Sequence, residues 1–379
     1  MFKVLVQLSP FVVCALAYWA FLCSVKLGTR ARAIGLMALL LCASKFVCFG
    51  AFGGDAFAPE LPSAVIWGWN WAYSGLLFLC VFALAGAGVR WIVRRSCGGD
   101  CPRAVWLTVL PLVAWSCGAW GCLNGAKLPV VEEVTLSFPN LPEELDGYTI
   151  LQITDLHASA AARRARTEAI VEIANGTGAD LICLTGDFAD GLSGRQFRNI
   201  EPIRGLRARD GVLAVSGNHE YYFDTIGWMI KFDRLENIRF LDNACAFPRP
   251  GLAVAGVPDF ACREEGFPMP DPDAAFAPAT NGEFRILLQH RPFVNYGLLL
   301  SHEPEAQVDL QLSGHTHGGI APGLAALVAH HNDGMVRGVY QRKDRTVHVS
   351  NGAGQWAGFP MRFFNDPTMT LITLRRSRE

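Results

Sequence analysis

The chain has 379 residues, a formal net charge of −1 and only 18% charged residues. Soluble domains contain about 25% charged residues, and the mean hydropathy here is +0.24. These values exclude an intrinsically disordered chain and make a wholly soluble globule a poor fit. The near-neutral charge gives no reason to expect nucleic acid as a partner, and no protein partner can be inferred.

The charge is distributed unevenly along the chain. Residues 1–128 contain ten Lys or Arg and three Asp or Glu, whereas residues 129–379 contain 23 and 31. A sparse basic half, net +7, therefore precedes a more polar acidic half, net −8. We predict a transmembrane helical domain over residues 1–128 and a second domain over residues 129–379.

The first half contains four apolar stretches close to the length that crosses a bilayer as a helix, about 20 residues. They cover approximately residues 4–25, 33–52, 64–89 and 104–123. We therefore predict four transmembrane helices and a multi-pass integral membrane protein. Lys45, inside the second stretch, has two open interpretations: a functional charge, or a side chain that extends to the outer headgroups.

The loops between these stretches predict the orientation of the chain. Residues 26–32 carry three Lys or Arg and residues 90–103 carry four, whereas residues 53–60 carry none. Loops rich in Lys and Arg face the cytoplasm. The N-terminus and the domain after residue 128 are therefore predicted to be extracytoplasmic.

The second half alternates short β-branched runs with helical stretches, which is typical of an α/β or α+β fold. The predicted strands are 149–153, 181–184, 212–215, 252–255, 285–288, 308–312, 347–349 and 368–374. Five of them end in a polar cluster. The clusters are Asp155-Leu156-His157, Gly186-Asp187-Phe188-Ala189-Asp190, Gly217-Asn218-His219-Glu220, Gln289-His290 and Gly314-His315-Thr316-His317.

The residue types in these clusters indicate a metal site. In open α/β sheets, ligands bind at the carboxyl ends of the strands. Imidazole nitrogens, carboxylates and an amide oxygen suit Mn, Fe or Zn and suit Ca poorly. Two such cations, roughly 4 Å apart, lower the pKa of bound water and position a phosphate. We predict a site for two divalent metal ions that hydrolyses phosphoesters by attack of a metal-bridging hydroxide.

In this order, the five clusters resemble the signature of the calcineurin-like metallophosphoesterase superfamily, over about residues 132–376. Residues 314–319 and 349–362 resemble its membrane-associated bacterial branch. The resemblance implies an α/β domain with a four-layer sandwich, in which two mixed β-sheets are flanked by helices.

The resemblance also implies a role for each residue. The first metal would be bound by Asp155, His157, Asp187 and His317, and the second by Asp187, Asn218, His290 and His315. Asp187 would therefore bridge the two ions. His219 would stabilise the phosphate or protonate the leaving oxygen, and Asp190 would orient it.

Departures from the superfamily pattern bear on the substrate. Gly191 and Ser216 stand where its protein Ser/Thr phosphatases carry Arg, which disfavours a phosphoprotein substrate. Arg163 and Arg164 follow the first motif and are candidates for binding a phosphate or pyrophosphate. A solvated helix start is an equally good interpretation of both. Arg291, which follows His290, is open in the same way.

We therefore expect a membrane-anchored dimetal phosphoesterase that acts on a phosphomonoester, phosphodiester or pyrophosphate. A membrane lipid or a lipid- or envelope-linked ester is the expected substrate. One alternative is a UDP-diacylglucosamine-type pyrophosphatase, which acts at the cytoplasmic face. Another is a catalytically silent membrane sensor that binds a metal or nucleotide. Whether Cys245 and Cys262 form a disulfide is open.

Overall fold

The computed structural model describes residues 2–97, 102, 105–280, 282–296 and 303–377. The chain divides into two compact units. The first, called the helical unit, contains residues 1–126 and 357–361. The second, called the β-sandwich unit, contains residues 127–356 and 362–379. The sequence did not predict that a short C-terminal segment belongs to the helical unit.

The described part of the helical unit consists mainly of apolar α-helices of 9 to 35 residues. Their bounds are α1 (Phe2–Ala17), α2 (Thr29–Ala43), α3 (Lys45–Gly53), α4 (Ser63–Cys97) and α5 (Leu110–Ala126). Turns of π-helix follow α1 and precede α5. Leu112 and Leu123 are 69% and 70% exposed. Helices with apolar residues on their exposed faces are typical of membrane proteins.

Two stretches, Ser63–Val93 and Val105–Ala126, are long and apolar enough to cross a membrane. A third is obtained if α2 and α3 form a single span, although they are bent by 54°. The bend occurs because Ser44 has a ψ of 1°, outside the helical range. The stretch Gln7–Leu22 is apolar but shorter. The described residues thus support two or three spans, whereas we predicted four. Residue 104, the first residue of the fourth predicted stretch, lies outside the described residues.

Lys45 is only 1% exposed within the helical unit. Its Nζ donates a hydrogen bond to the Gly358 carbonyl, which belongs to the same unit. Four aromatic rings also have centroids within 6 Å of Nζ, those of Phe46, Phe49, Tyr73 and Phe359. The ammonium group therefore has polar and cation–π partners inside the unit, and it does not extend outward as the headgroup interpretation requires.

The described part of the β-sandwich unit contains two six-stranded mixed sheets. The strands are β1 (Val130–Phe138), β2 (Thr149–Ile153), β3 (Leu181–Thr185), β4 (Val212–Val215), β5 (Ile238–Phe240), β6 (Ala244–Arg249), β7 (Leu252–Gly256), β8 (Phe284–Leu288), β9 (Leu310–Ser313), β10 (Gly338–Arg342), β11 (Arg345–Val349) and β12 (Thr368–Arg376). The first sheet has the order β1-β12-β2-β3-β4-β5 and the second β10-β11-β9-β8-β7-β6.

The two sheets pack face to face, and helices cover their outer faces. Leu181 and Leu213 of the first sheet share one buried core with Ile286 and Leu312 of the second. The α-helices in the described part of this unit are α6 (Arg164–Gly176), α7 (Ser193–Ile200), α8 (His219–Tyr222), α9 (Thr225–Phe232), α10 (Pro272–Phe276) and α11 (Pro322–His330). Helices α6, α7 and α9 pack on the first sheet and α10 on the second. The expected sandwich of two mixed sheets with flanking helices is confirmed.

Strand direction brings the polar clusters to common edges. Strands β2, β3 and β4 are mutually parallel, and so are β7, β8 and β9. Parallel strands have their carboxyl ends at the same edge of a sheet. The motifs that follow β2, β3 and β4 therefore lie together, as do those that follow β8 and β9.

Candidate metal centre

Three motif residues form the first cluster of possible metal ligands: Asp155, His157 and His317. The Nε2 atom of His157 is 3.2 Å from Nε2 of His317 and 3.8 Å from Oδ1 of Asp155. The distance from His317 Nε2 to Asp155 Oδ1 is 3.5 Å. All three side chains are buried. Their ligand atoms therefore converge on one small volume.

The second cluster consists of Asp187, His290 and His315, whose ligand atoms lie within 4.8 Å of one another. Oδ2 of Asp187 is 3.2 Å from His290 Nε2 and also 3.6 Å from Nε2 of His157 in the first cluster. One carboxylate oxygen thus lies beside both clusters. This is the geometry that a bridging ligand requires.

The buried atoms without partners test whether the centre suits cations. Asp155 Oδ1, Asn218 Oδ1 and His290 Nε2 have no hydrogen-bond partner among the described residues. Buried polar atoms are rarely left in this state. The opposite atoms of the same groups are held: Asp155 Oδ2 accepts from Thr154 Oγ1, and His290 Nδ1 donates to the Thr185 carbonyl. Nitrogen and oxygen donors fixed in this way fit divalent transition metals.

Asn218, the remaining predicted ligand, is followed in the chain by a residue that contacts the second cluster directly. The backbone N–H of the next residue, His219, donates to Asp187 Oδ1 at 2.9 Å. Gly217, which precedes Asn218, lies so close to Asp187 that a Cβ there would collide with its carboxylate. The structure therefore places the Asn218 turn against the shared carboxylate.

Most of the predicted ligand residues have a left-handed backbone conformation. Five of the seven predicted ligands have positive φ: Asp155 at 55°, His157 at 46°, Asp187 at 55°, His315 at 70° and His317 at 48°. Each left-handed residue other than Gly costs about 1–3 kcal/mol, and such residues concentrate at functional sites. Hydrogen bonds between the turns help to hold the strained backbone in place. One of them runs from the His157 N–H to the Asp187 carbonyl, at 3.1 Å.

Asp190 holds two imidazoles through one oxygen. Its Oδ1 is 2.7 Å from His219 Nδ1 and 2.9 Å from His157 Nδ1. The Nε2 atom of each ring is consequently left for the centre, and His219 Nε2 is 3.9 Å from Asp187 Oδ2. The contact that the sequence resemblance implied between Asp190 and His219 is therefore present.

Glu220 connects two of the motif turns. Its carboxylate accepts hydrogen bonds from the backbone N–H groups of Gly217 at 2.7 Å, Phe188 at 2.8 Å and Asp187 at 3.1 Å. Burial, together with the charge of Asp187, raises the pKa of Glu220 to about 7. The side chain fixes the position of the shared carboxylate through its backbone.

The electrostatics of the centre combine burial with close opposite charges. Burial raises the pKa of Asp187, but the His290 imidazole and its neighbours outweigh it and hold the pKa well below its usual range. Burial lowers the pKa of His290, but Asp187 outweighs it and raises the pKa to about 10. Burial lowers the pKa of His317 to about 3, and Asp155 opposes this only in part. Protons and cations compete for the same nitrogen lone pairs.

The two arginines proposed for phosphate binding lie at the start of α6. Arg164 is exposed and donates to Glu168 at 2.7 Å and to Glu201 at 2.6 Å. Arg163 is exposed, and its Nε donates to the Ala160 carbonyl at 3.4 Å. These contacts match a solvated helix start, and a role in phosphate binding stays a prediction.

Arg362 is a site residue whose role the sequence did not predict. Its side chain is fully buried, and Nη2 contacts His317 Nδ1 at 3.3 Å. The same nitrogen donates to the carbonyl oxygens of Asn351, Gly352 and Gly354. The only signal was the resemblance of residues 349–362 to the bacterial branch, because a lone Arg after a Gly-rich segment does not indicate a buried contact.

Known proteins resemble this chain in the same region. Residues 148–319 match the family model described as calcineurin-like phosphoesterase. The chain contains a calcineurin-like metallophosphoesterase domain. It is 32% identical over 255 residues to an uncharacterized metallophosphoesterase of Helicobacter pylori, covering 67% of this chain and 66% of that protein. The family consists of metal-dependent phosphoester hydrolases.

Two animal relatives carry the same description, transmembrane protein with metallophosphoesterase domain. The Danio rerio protein is 30% identical over 283 residues, which cover 71% of this chain and 63% of the relative. The Bos taurus protein is 28% identical over 338 residues, 84% of this chain and 74% of the relative. The chain thus spans about two thirds of the first relatives' length. Membrane association is supported, and the resemblance is not confined to bacteria.

Proposed function

We propose that this chain is a membrane-anchored dimetal phosphoesterase that hydrolyses a phosphomonoester, phosphodiester or pyrophosphate. The convergence of two clusters of ligand residues beside Asp187, all buried except the half-buried His315, carries the proposal. Two ligand atoms that lack hydrogen-bond partners among the described residues, Asp155 Oδ1 and Asn218 Oδ1, support it. The donor set contains no thiolate, so Mn, Fe or Zn are the proposed ions.

The side chains have distinct proposed tasks. Asp155, His157 and His317 would hold one ion, His290, His315 and Asn218 would hold the other, and Asp187 would contribute to both. When bound, the two ions would lower the pKa of water and stabilise charge on the phosphoryl oxygens. His219, fixed through Nδ1 by Asp190, keeps Nε2 available to donate a proton to the leaving oxygen. Asp190 also fixes the orientation of the His219 ring.

A hydrolysis assay tests the proposal. The full chain, purified in detergent with Mn²⁺, should hydrolyse p-nitrophenyl phosphate or bis(p-nitrophenyl) phosphate. EDTA, Asp187→Ala and His219→Ala should each abolish most of this activity. Hydrolysis that survives both substitutions would contradict the assignment. Binding of Mn²⁺ by a folded protein that hydrolyses neither compound would favour the silent sensor.

We also propose a multi-pass protein with an extracytoplasmic β-sandwich unit. The Lys and Arg distribution of the loops supports this orientation, and four spans require that α1 and the bent pair α2 and α3 each cross the bilayer. With an even number of spans the β-sandwich unit lies on the same side of the membrane as the N-terminus, and with an odd number it lies on the opposite side. A reporter that is active only in the cytoplasm, fused after residue 379, should be inactive; an active fusion would reverse the orientation.

The proposed substrate is a lipid- or envelope-linked phosphoester. Apolar helices in the same chain would keep the centre near a bilayer and so near such esters. Incubating the purified protein with lipid extracts and with nucleotide-sugars, followed by mass spectrometry, should show a phosphorylated lipid consumed. Consumption of a soluble nucleotide-sugar alone would contradict the lipid assignment.

A further inference from the structure

A guanidinium group lies beside the second cluster and has no part in the proposed mechanism. Arg291 directly follows His290 at the end of β8. Its Nε is 3.1 Å from Oδ2 of Asp259, which is 1% exposed. Its Nη2 donates to the Tyr222 hydroxyl at 3.3 Å, and Tyr222 is 43% exposed. The guanidinium therefore extends from a buried carboxylate to the solvent-exposed rim.

This position borders the proposed reaction centre on two sides. The ring centroid of Tyr222 is 5.4 Å from that of His219, the proposed proton donor. On the other side, Arg291 directly follows the proposed ligand His290, whose ring centroid is 5.2 Å from that of His315. The guanidinium thus contacts a tyrosine that packs near the proton donor, and it belongs to the residue that follows a proposed metal ligand.

The other arginines close to the motifs are engaged differently. Arg362 is fully buried and donates to backbone carbonyls. Arg166 likewise donates to two carbonyl oxygens. Arg164 pairs with two glutamates on the surface. Of these four residues, only Arg291 combines a position at the centre with a partly exposed side chain, 21%.

We propose that Arg291 binds the phosphoryl group of the substrate and makes the centre selective for a terminal phosphate over an internal phosphodiester. A terminal phosphate has three unsubstituted oxygens and up to two negative charges, whereas a diester has two oxygens and one charge. A guanidinium combines a fixed positive charge with paired N–H donors, so it should bind the third free oxygen and the second charge that only the terminal phosphate offers. Asp259 is the positioning residue that fixes the guanidinium. The inference rests on the proposed function and names its substrate class.

The test compares a monoester with a diester on the full chain in detergent with Mn²⁺. Arg291→Gln should raise the KM for p-nitrophenyl phosphate by about tenfold or more, since a charged hydrogen bond is lost. The value of kcat/KM for bis(p-nitrophenyl) phosphate should change by less than about threefold, because a diester offers fewer acceptors. Arg291→Lys should give an intermediate KM, because it keeps the charge but not the paired donors.

A second readout does not depend on turnover. Inorganic phosphate should raise the melting temperature of the wild-type protein, and the shift should be smaller in Arg291→Gln. Arg204→Gln is the matched control, because Arg204 also pairs with a carboxylate but is 68% exposed. This control should behave as wild type in both assays.

Removing Arg291 leaves the buried Asp259 carboxylate unpaired, which can destabilise the fold. The double variant Arg291→Gln/Asp259→Asn removes that charge and should show the same loss of monoester affinity. Equal losses for both substrates, or an unchanged monoester KM and phosphate shift, would overturn the proposal. A loss in Arg164→Gln but not in Arg291→Gln would also overturn it. If the wild type hydrolyses neither compound, the proposed function fails, and the phosphate shift still tests Arg291.

Discussion

Both units bury charged side chains, but the two units differ in the partners that these side chains have. In the helical unit, Lys45 is a single charge whose amine has a carbonyl and four aromatic rings as partners. In the β-sandwich unit, carboxylates and imidazoles converge, and the ligand atoms Asp155 Oδ1 and Asn218 Oδ1 lack hydrogen-bond partners among the described residues. A buried polar group with its partners in place stabilises a fold, whereas a converging set without them indicates a missing ligand.

The strongest test of this contrast removes the shared carboxylate. Asp187→Ala should lower kcat/KM by at least about a thousandfold, because one oxygen lies beside both clusters and both ions would lose a ligand. Steady-state kinetics and metal content by mass spectrometry measure the two effects. Asp233→Ala, an exposed carboxylate on the same unit, is the control. Normal metal content in Asp187→Ala would contradict the bridging role.

The next test separates proton transfer from metal binding. His219→Ala should lower kcat by about 10²- to 10⁴-fold with unchanged metal content, as for the loss of a general acid. Asp190→Asn should lower both activity and metal affinity, the latter by about 10- to 100-fold, because Asp190 also holds the ligand His157. Equal metal loss in the two variants would assign His219 to the ligand set instead.

Metal removal should act on one unit only. Saturating Mn²⁺ at 100 times its dissociation constant stabilises a protein by about 2.7 kcal/mol. EDTA should therefore speed hydrogen exchange in the strained turns at residues 154–157 and 314–317, while exchange in α4 and α5 stays unchanged. Peptide-level hydrogen exchange measures both units in one experiment. Equal acceleration in the helices would show that the two units do not respond independently.

A smaller effect is expected in the helical unit. Lys45→Met keeps most of the apolar volume but leaves the Gly358 carbonyl without its donor, so stability should fall by about 1–2 kcal/mol. Unfolding in mixed detergent micelles measures this, with Lys26→Met, an exposed lysine, as control. A more stable Lys45→Met protein would show that burying the ammonium group costs more than its contacts return.

Whether a strand could be predicted from the sequence depends on its position in the sheet. All eight predicted strands are interior strands of the two sheets, and the four that the sequence did not reveal, β1, β5, β6 and β10, are the four sheet edges. Interior strands such as β3 are buried on both faces and read as apolar runs. Edge strands have an exposed side and carry polar residues, as Glu132 and Glu133 show in β1.

The same reasoning explains what could be predicted of the metal centre. The ligands occupy turns after interior strands, which the apolar runs locate, and their chemistry is visible in the residue types. The sequence named Arg291 as an open candidate but did not reveal its contact with Asp259, and it did not predict a role for Arg362, because these contacts depend on long-range packing. The described helices give two or three candidate spans rather than four, because the apolar helix Gln7–Leu22 is short and because hydropathy does not register the backbone break at Ser44.

The smallest expected effect concerns the thiols whose pairing the sequence left open. Cys245 and Cys262 are both free and buried, and burial raises the pKa of each thiol to about 11. At pH 8 only about one thiol in a thousand would be thiolate, so alkylation by iodoacetamide should be more than about a hundredfold slower than for an ordinary cysteine. The rate should rise about tenfold per pH unit up to the pKa, because only the thiolate reacts. Peptide mapping measures this against urea-unfolded protein, and a disulfide-linked peptide in the unreduced digest would contradict the free thiols.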